Sequence, residues 1–225
     1  MKGRTMRIGV LLMLIVLAAG LLTLAAGCGE EENGTNGTTE PAVMGYSDAA
    51  VALSNASIVL WDDFSFWARE TIIAAKLGSP NLTAALERWN MVADDLGSVV
   101  GAYYGMENGE TAAAAIAQLQ EDAVALVTAA LTGDAAGQEA ANEALAADAE
   151  AIATFLDGAN PEYWPYETVL QVLQNILDYT TEYAVAIIGD QWDAAVTAFD
   201  KARDEVLVLA DTFSSGVIEQ FPDEF

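Results

Sequence analysis

The stretch TAAAAIAQLQEDAVALVTAALTGD, residues 111–134, decides the fold class. Ile116, Leu119, Ala123, Leu126 and Ala130 recur at steps of three and four, the period of a helix face that packs against a neighbour. The period-two alternation of a half-buried strand is not there. Alanine, the strongest helix former, is abundant in it, and from Cys28 onward supplies 39 of 198 residues. At its end Gly133-Asp134 reads as one helix stopping and another starting. Glycine suits the left-handed closing position, and aspartate suits the next N-cap.

Working outward, the same punctuation appears at Gly78-Ser79-Pro80 and at Gly189-Asp190, 55 residues before and 56 after. Breakers divide the body into segments near 47–77, 81–104, 111–132, 135–157, 166–188 and 190–217, with loops at Gly105–Glu110 and Gly158–Pro165. The expectation is an all-α fold: an antiparallel helical bundle of about six helices, arranged as three αα-hairpins of about 55 residues. Helices of similar length alone would also space their turns this way. Counting 14 back from each glycine lands on Phe64, Leu119 and Asn175, and counting 15 or 16 forward on Asp94, Asp148 and Asp204. Trp61, Trp67, Trp89, Trp164 and Trp192 are expected to fill a bundle core, and no polar capping repeat points to an open solenoid.

Upstream of the body, Lys2, Arg4 and Arg7 precede a 19-residue apolar run from Ile8 to Ala26, broken only by Thr23. Ala26-Gly27-Cys28 then resembles the lipobox of secreted lipoproteins, departing from it at Ala25, where Leu is usual. That resemblance implies a signal peptide over 1–27, cleaved before Cys28, and a lipidated Cys28 that inserts in the membrane. An uncleaved anchor is the alternative, since about 20 apolar residues span a bilayer. Either way the positive end stays inside and the body is expected outside the cytoplasm. Residues 28–45 carry GEEENGTNGTTEP at 29–41, with no large apolar side chain, and read as a flexible acidic tether. The helical domain is expected over 46–225.

Composition narrows the chemistry. The chain holds 34 acids, 8 Lys and Arg, no histidine and one cysteine, a formal charge of −26. Without histidine there is no imidazole base and no Ser-His-Asp or Cys-His arrangement. One cysteine allows no internal disulfide and no multi-cysteine zinc site. Nucleic acid is not an expected partner, because affinity for it comes from Lys and Arg on phosphates.

Several stretches are similar to a bacterial family of small extracytoplasmic, secreted or lipid-anchored, all-helical proteins whose function is uncharacterised. They are Leu60-Trp61 through Trp67-Ala68-Arg69, Tyr103-Tyr104-Gly105, AEAIATFLDGANPEYWP at 149–165 and LADTFSSGVIEQFPDEF at 209–225. The resemblance runs from about residue 46 to the end. It implies a helical fold and an envelope location. It also implies histidines in relatives near the positions held here by Phe64, Leu119 and Asn175, so a histidine site in that family would be absent from this chain.

The remaining candidates are carboxylates. Asp62, Asp63 and Glu70 flank Trp61, Phe64, Phe66 and Trp67, a pattern compatible with a carboxylate-dependent cell-wall glycosidase or with a solvated helix face beside a core. Asp62, Asp63, Asp94, Asp148 and Asp204 are weak candidates for a divalent-cation site, since hard cations take oxygen ligands. Arg69 reads as an anion anchor or as half of a structural ion pair. ANPEYWPYE at 159–167 offers aromatics to a partner, or serves as a connector whose rings pack over the bundle end. The leading expectation is a non-enzymatic binding or structural module at the cell surface. It would need no cofactor and have a cell-envelope protein or glycan as possible partner.

Overall fold

The computed structural model describes residues 46–225. The signal peptide, the Cys28 lipidation site and the tether lie outside the described residues. Six α-helices follow in order: α1 (Asp48–Leu77), α2 (Leu82–Tyr104), α3 (Met106–Thr132), α4 (Ala135–Ala159), α5 (Tyr166–Ile188) and α6 (Trp192–Gln220). No strand occurs among the described residues. The fold is the all-α, six-helix bundle that the periodicity implies.

Each helix packs on its neighbours in sequence, and α1 also packs on α6, so the six close into a ring. Short turns make successive helices antiparallel. The closing pair is antiparallel too: Ser57 Oγ donates to the Ala210 carbonyl at 2.9 Å, and Asp62 pairs with Arg203 further along α1 but earlier in α6. Across the middle, α1, α3 and α5 approach one another. The first helix of each hairpin therefore lies toward the axis.

The three hairpin turns are built alike. Gly78, Gly133 and Asp190 are left-handed, with φ of 59°, 72° and 56°. In each turn the next residue's N–H reaches back five positions, Ser79 to Ala74, Asp134 to Ala129 and Gln191 to Ala186, at 2.8–2.9 Å. These are Schellman closures, which satisfy carbonyls that the helix end leaves without partners. The third closure falls on Asp190 rather than Gly189, whose φ is −85°. Lys76 explains the shift: its ammonium donates to the Ile188 carbonyl at 2.6 Å and pairs with the Asp190 carboxylate at 3.5 Å. Asp tolerates this conformation better than most side chains.

Two further expectations change. The loop expected at Gly105–Glu110 is a single residue, Gly105, and α3 begins at Met106. Glycines let α2 and α3 touch backbone to backbone: a Cβ on Gly97 would stand 2.6 Å from both the Gly109 carbonyl and the Ala113 Cβ. Helices this close are bridged by one residue. Trp61, Trp89 and Trp164 are buried and Trp67 packs beside the core, but Trp192 is 52% exposed. It opens α6 directly after the left-handed turn, before the helix has swung its apolar face inward.

The connector between α4 and α5 caps one end of the bundle. Trp164 is 1% exposed and stacks on Phe213 with centroids 5.1 Å apart, while its indole N–H donates to the Thr212 carbonyl. Buried Asn160 donates to the Gly216 carbonyl at 2.9 Å. Tyr163 is the one ring of the connector that faces solvent.

Candidate functional site: an apolar cavity on the ring axis

On the axis lies a cavity of about 60 Å³ to which all six helices contribute. Trp61, Phe64 and Ile72 come from α1, Leu119 from α3, Ile176 and Tyr183 from α5, and Phe199 and Leu209 from α6. Trp89 divides it from a second apolar space of about 80 Å³, and Trp61 from a third of about 40 Å³. A single water occupies about 10–15 Å³ on this measure, and hydrocarbon walls hold water poorly.

The third hairpin's shifted closure matters here. Fourteen residues before Gly78, Gly133 and Asp190 stand Phe64, Leu119 and Ile176, and all three line the cavity. Asn175, the position expected from Gly189, is instead on the outer face, where its amide oxygen accepts from Gln171.

Polar groups at this wall are few, and three ring residues that border it carry buried polar atoms without partners. The indole N–H of Trp61, the indole N–H of Trp89 and the hydroxyl of Tyr183 are buried without a hydrogen-bond partner. Their residues are 9%, 4% and 3% exposed. Burial pushes the Tyr183 phenol up to about 12, with Arg69 opposing and Glu70 adding to the rise. The phenol is therefore a neutral O–H donor at any ordinary pH. Buried donors without partners cost ~1–3 kcal/mol each, so three around one cavity are a concentrated expense.

Arg69 lines the same space. It is half of an ion pair with Glu70 at 2.8 Å, and its guanidinium lies 5.6 Å over the Phe199 ring. The neighbouring carboxylate cancels its charge. Ser65, also at the wall, donates its hydroxyl to the Asp62 carbonyl at 2.9 Å.

The carboxylates singled out in the sequence are not gathered. Asp62 turns to Arg203 on α6 at 2.6 Å, and the adjacent Asp63 turns to Arg88 on α2 at 2.9 Å. Asp94 and Asp204 are exposed. Asp148 is half-buried near Asp122 of α3, and its pKa is raised to about 6 by burial first and then by Asp122. Neither lines the cavity. Among the described residues no three acids stand where they could hold one metal ion.

The donors at Trp61, Trp89 and Tyr183 were not singled out from the sequence. Burial of the rings is visible there, but whether a ring's polar edge finds an acceptor is settled only by the neighbouring helices. The Asp122–Asp148 contact was hidden for the same reason, since the two acids lie on different helices. No family model matches the chain, and neither does any curated protein or solved structure.

Proposed function

We propose that the protein is a lipid-anchored, extracytoplasmic helical-bundle module that binds a small apolar molecule at the cell surface without transforming it. The observation carrying this reading is the axial cavity, whose walls are rings and aliphatic chains contributed by all six helices. Its serine hydroxyl is engaged and its arginine is neutralised by Glu70, so the wall presents contacts and no acid–base pair. Cys28 supplies the anchor in this reading and the 28–45 stretch the tether. The acidic surface keeps an alanine-rich bundle soluble near the membrane.

Native mass spectrometry of protein purified from its own membrane fraction tests the reading. Wild type is expected to carry a co-purifying small molecule that Ala68→Leu, which fills the cavity wall, does not. Wild type and Ala68→Leu both appearing at bare protein mass would overturn it. Cys28→Ser is expected to abolish membrane partitioning; unchanged partitioning would remove the lipid anchor from the proposal.

A further inference from the structure

Exposed apolar side chains gather on one side of the ring. On α1, Val59, Phe66 and Leu77 recur at steps of seven and eleven, which keeps them on one helix face, and Ile58 stands beside Val59. Asp62 lies one turn from both Val59 and Phe66 and reaches across to Arg203, so these residues border the α6 side of α1. On α6, Val196 stands seven residues before Arg203, which stands seven before Ala210, the acceptor from Ser57 of α1. Trp192 is one turn further back on the same stripe. The six apolar residues are 41–65% exposed and line the outer seam of α1 and α6.

Charge distinguishes this side from the others. Helices α3, α4 and α5 carry acids and no cation. On α1, by contrast, residues 49–61 are uncharged, and Asp62, Asp63 and Glu70 are each paired with an arginine: Arg203, Arg88 and Arg69. Two copies of a chain at −26 repel each other across α3, α4 or α5, and do so least across α1. A cationic partner finds no unmet acid there and is drawn to the other side instead. Asp193, Asp200, Asp204 and Asp211 of α6 border the seam, and none of them is ion-paired among the described residues.

The seam is also large enough to hold two copies together. Helix α1 has 30 residues and is about 45 Å long, and two helices side by side are about 20 Å across. The footprint is on the order of 900 Å², against the ~800 Å² per partner of a standard stable interface. Phe66 and Trp192 supply the aromatic anchors that interface centres favour.

We infer that two copies of this chain associate through the α1–α6 seam, each covering the other's apolar stripe. The association is isologous, the same patch on both copies, and it leaves the acidic faces of α3, α4 and α5 in water. It does not depend on a ligand in the axial cavity, so the two proposals stand or fall separately.

Thiol cross-linking tests it. Cys28 is the only cysteine of the chain, so wild type is the blank. Val59→Cys and Phe66→Cys put a thiol on the seam at exposed positions, and Glu143→Cys puts one on α4, across the ring. Full-length protein in membranes of the cells that make it is treated with a bismaleimide. Product of twice the chain mass is expected from both seam variants and not from Glu143→Cys. Adding Val196→Lys to Phe66→Cys is expected to cut that yield roughly fivefold or more, since a charge inside the interface loses its water, and to leave the helical CD signal unchanged. Raising salt is expected to raise the yield, because it screens the acids of α6 that border the seam.

Equal yield from Glu143→Cys, or a yield that Val196→Lys leaves unchanged, would mark random collision and overturn the inference. A yield that salt lowers would make charge attraction the cause and overturn the choice of seam. Product of another mass would assign the seam to a different protein. No product, with Phe66→Cys slower than Glu143→Cys toward a soluble maleimide, would assign it to the bilayer. No product with equal reactivity would leave the seam open to solvent. Each of these last three outcomes overturns self-association.

Discussion

At the scale of single residues, Asp148 shows how an acid can oppose the fold that holds it. Burial and the neighbouring Asp122 raise its pKa from 3.8 to about 6. Between those two values the folded chain binds more protons than the unfolded chain. Stability contributed by this group is therefore full below that window and is lost as pH climbs through it. Solvent around the pair reduces the full linkage value, leaving a penalty of ~1 kcal/mol at neutral pH. Asp148→Asn should raise the urea midpoint at pH 7 and change it little at pH 2.5, where Asp148 is protonated in both states. An equal gain at both pH values would refute this account.

At the scale of elements, the α2–α3 contact is the tightest backbone approach. A Cβ on Gly97 would meet the Gly109 carbonyl at 2.6 Å, whereas one on Gly101 would sit 3.6 Å from its nearest neighbour, the Gly109 Cα. Gly97→Ala should cost ~2–3 kcal/mol through overpacking, and Gly101→Ala should be neutral or slightly stabilising because alanine favours the helix. Chemical denaturation of the pair would separate close packing from propensity. The third turn offers a gain instead. Asp190→Gly relieves a left-handed side-chain residue at ~1 kcal/mol and gives up an exposed ion pair with Lys76 worth a few tenths. A melting temperature a few degrees higher is the expected result; a lower one would show that Lys76 needs its carboxylate partner.

What could be read beforehand follows from these same residues. The steps from Ile116 to Ala130 state the helix face, and Gly78 and Gly133 state where two hairpins turn. Asp190 was not legible, because the Lys76 that holds it lies on α1, more than a hundred residues earlier. Asn108-Gly109 looks like a turn and is helical, since Gly109 serves a close approach that only the fold creates. A signal was present even so: Gly97, Gly101, Gly105 and Gly109 recur every four residues, the spacing of one helix face. The cavity was out of reach, because donors without partners at Trp61, Trp89 and Tyr183 are a property of three helices together.

At the scale of the whole molecule, charge and packing are separated. Removing 1–27 would take away three cations and no acids, leaving 34 acids against 5 cations, or −29. All five of those cations, Arg69, Lys76, Arg88, Lys201 and Arg203, pair with acids, and three of these pairs join different helices outside a turn. Such half-exposed pairs contribute little each. The apolar faces of all six helices therefore hold the bundle, and most of the acids face water.

Closure of α1 against α6 gives the domain the topology of a loop without a beginning. Helix α1 stands between α2 and α6 just as α3 stands between α2 and α4, so its packing does not record that it comes first. Because the ring has an even number of antiparallel helices, α1 starts at the same end of the bundle where α6 stops. A linker from Phe225 to Ser47 would run along that end, and the chain could then be opened at Gly133-Asp134. The permuted protein would keep all six helix–helix seams, exchanging only which one is a covalent turn. In such a molecule the cavity belongs to the ring as a whole, and no hairpin taken singly encloses it.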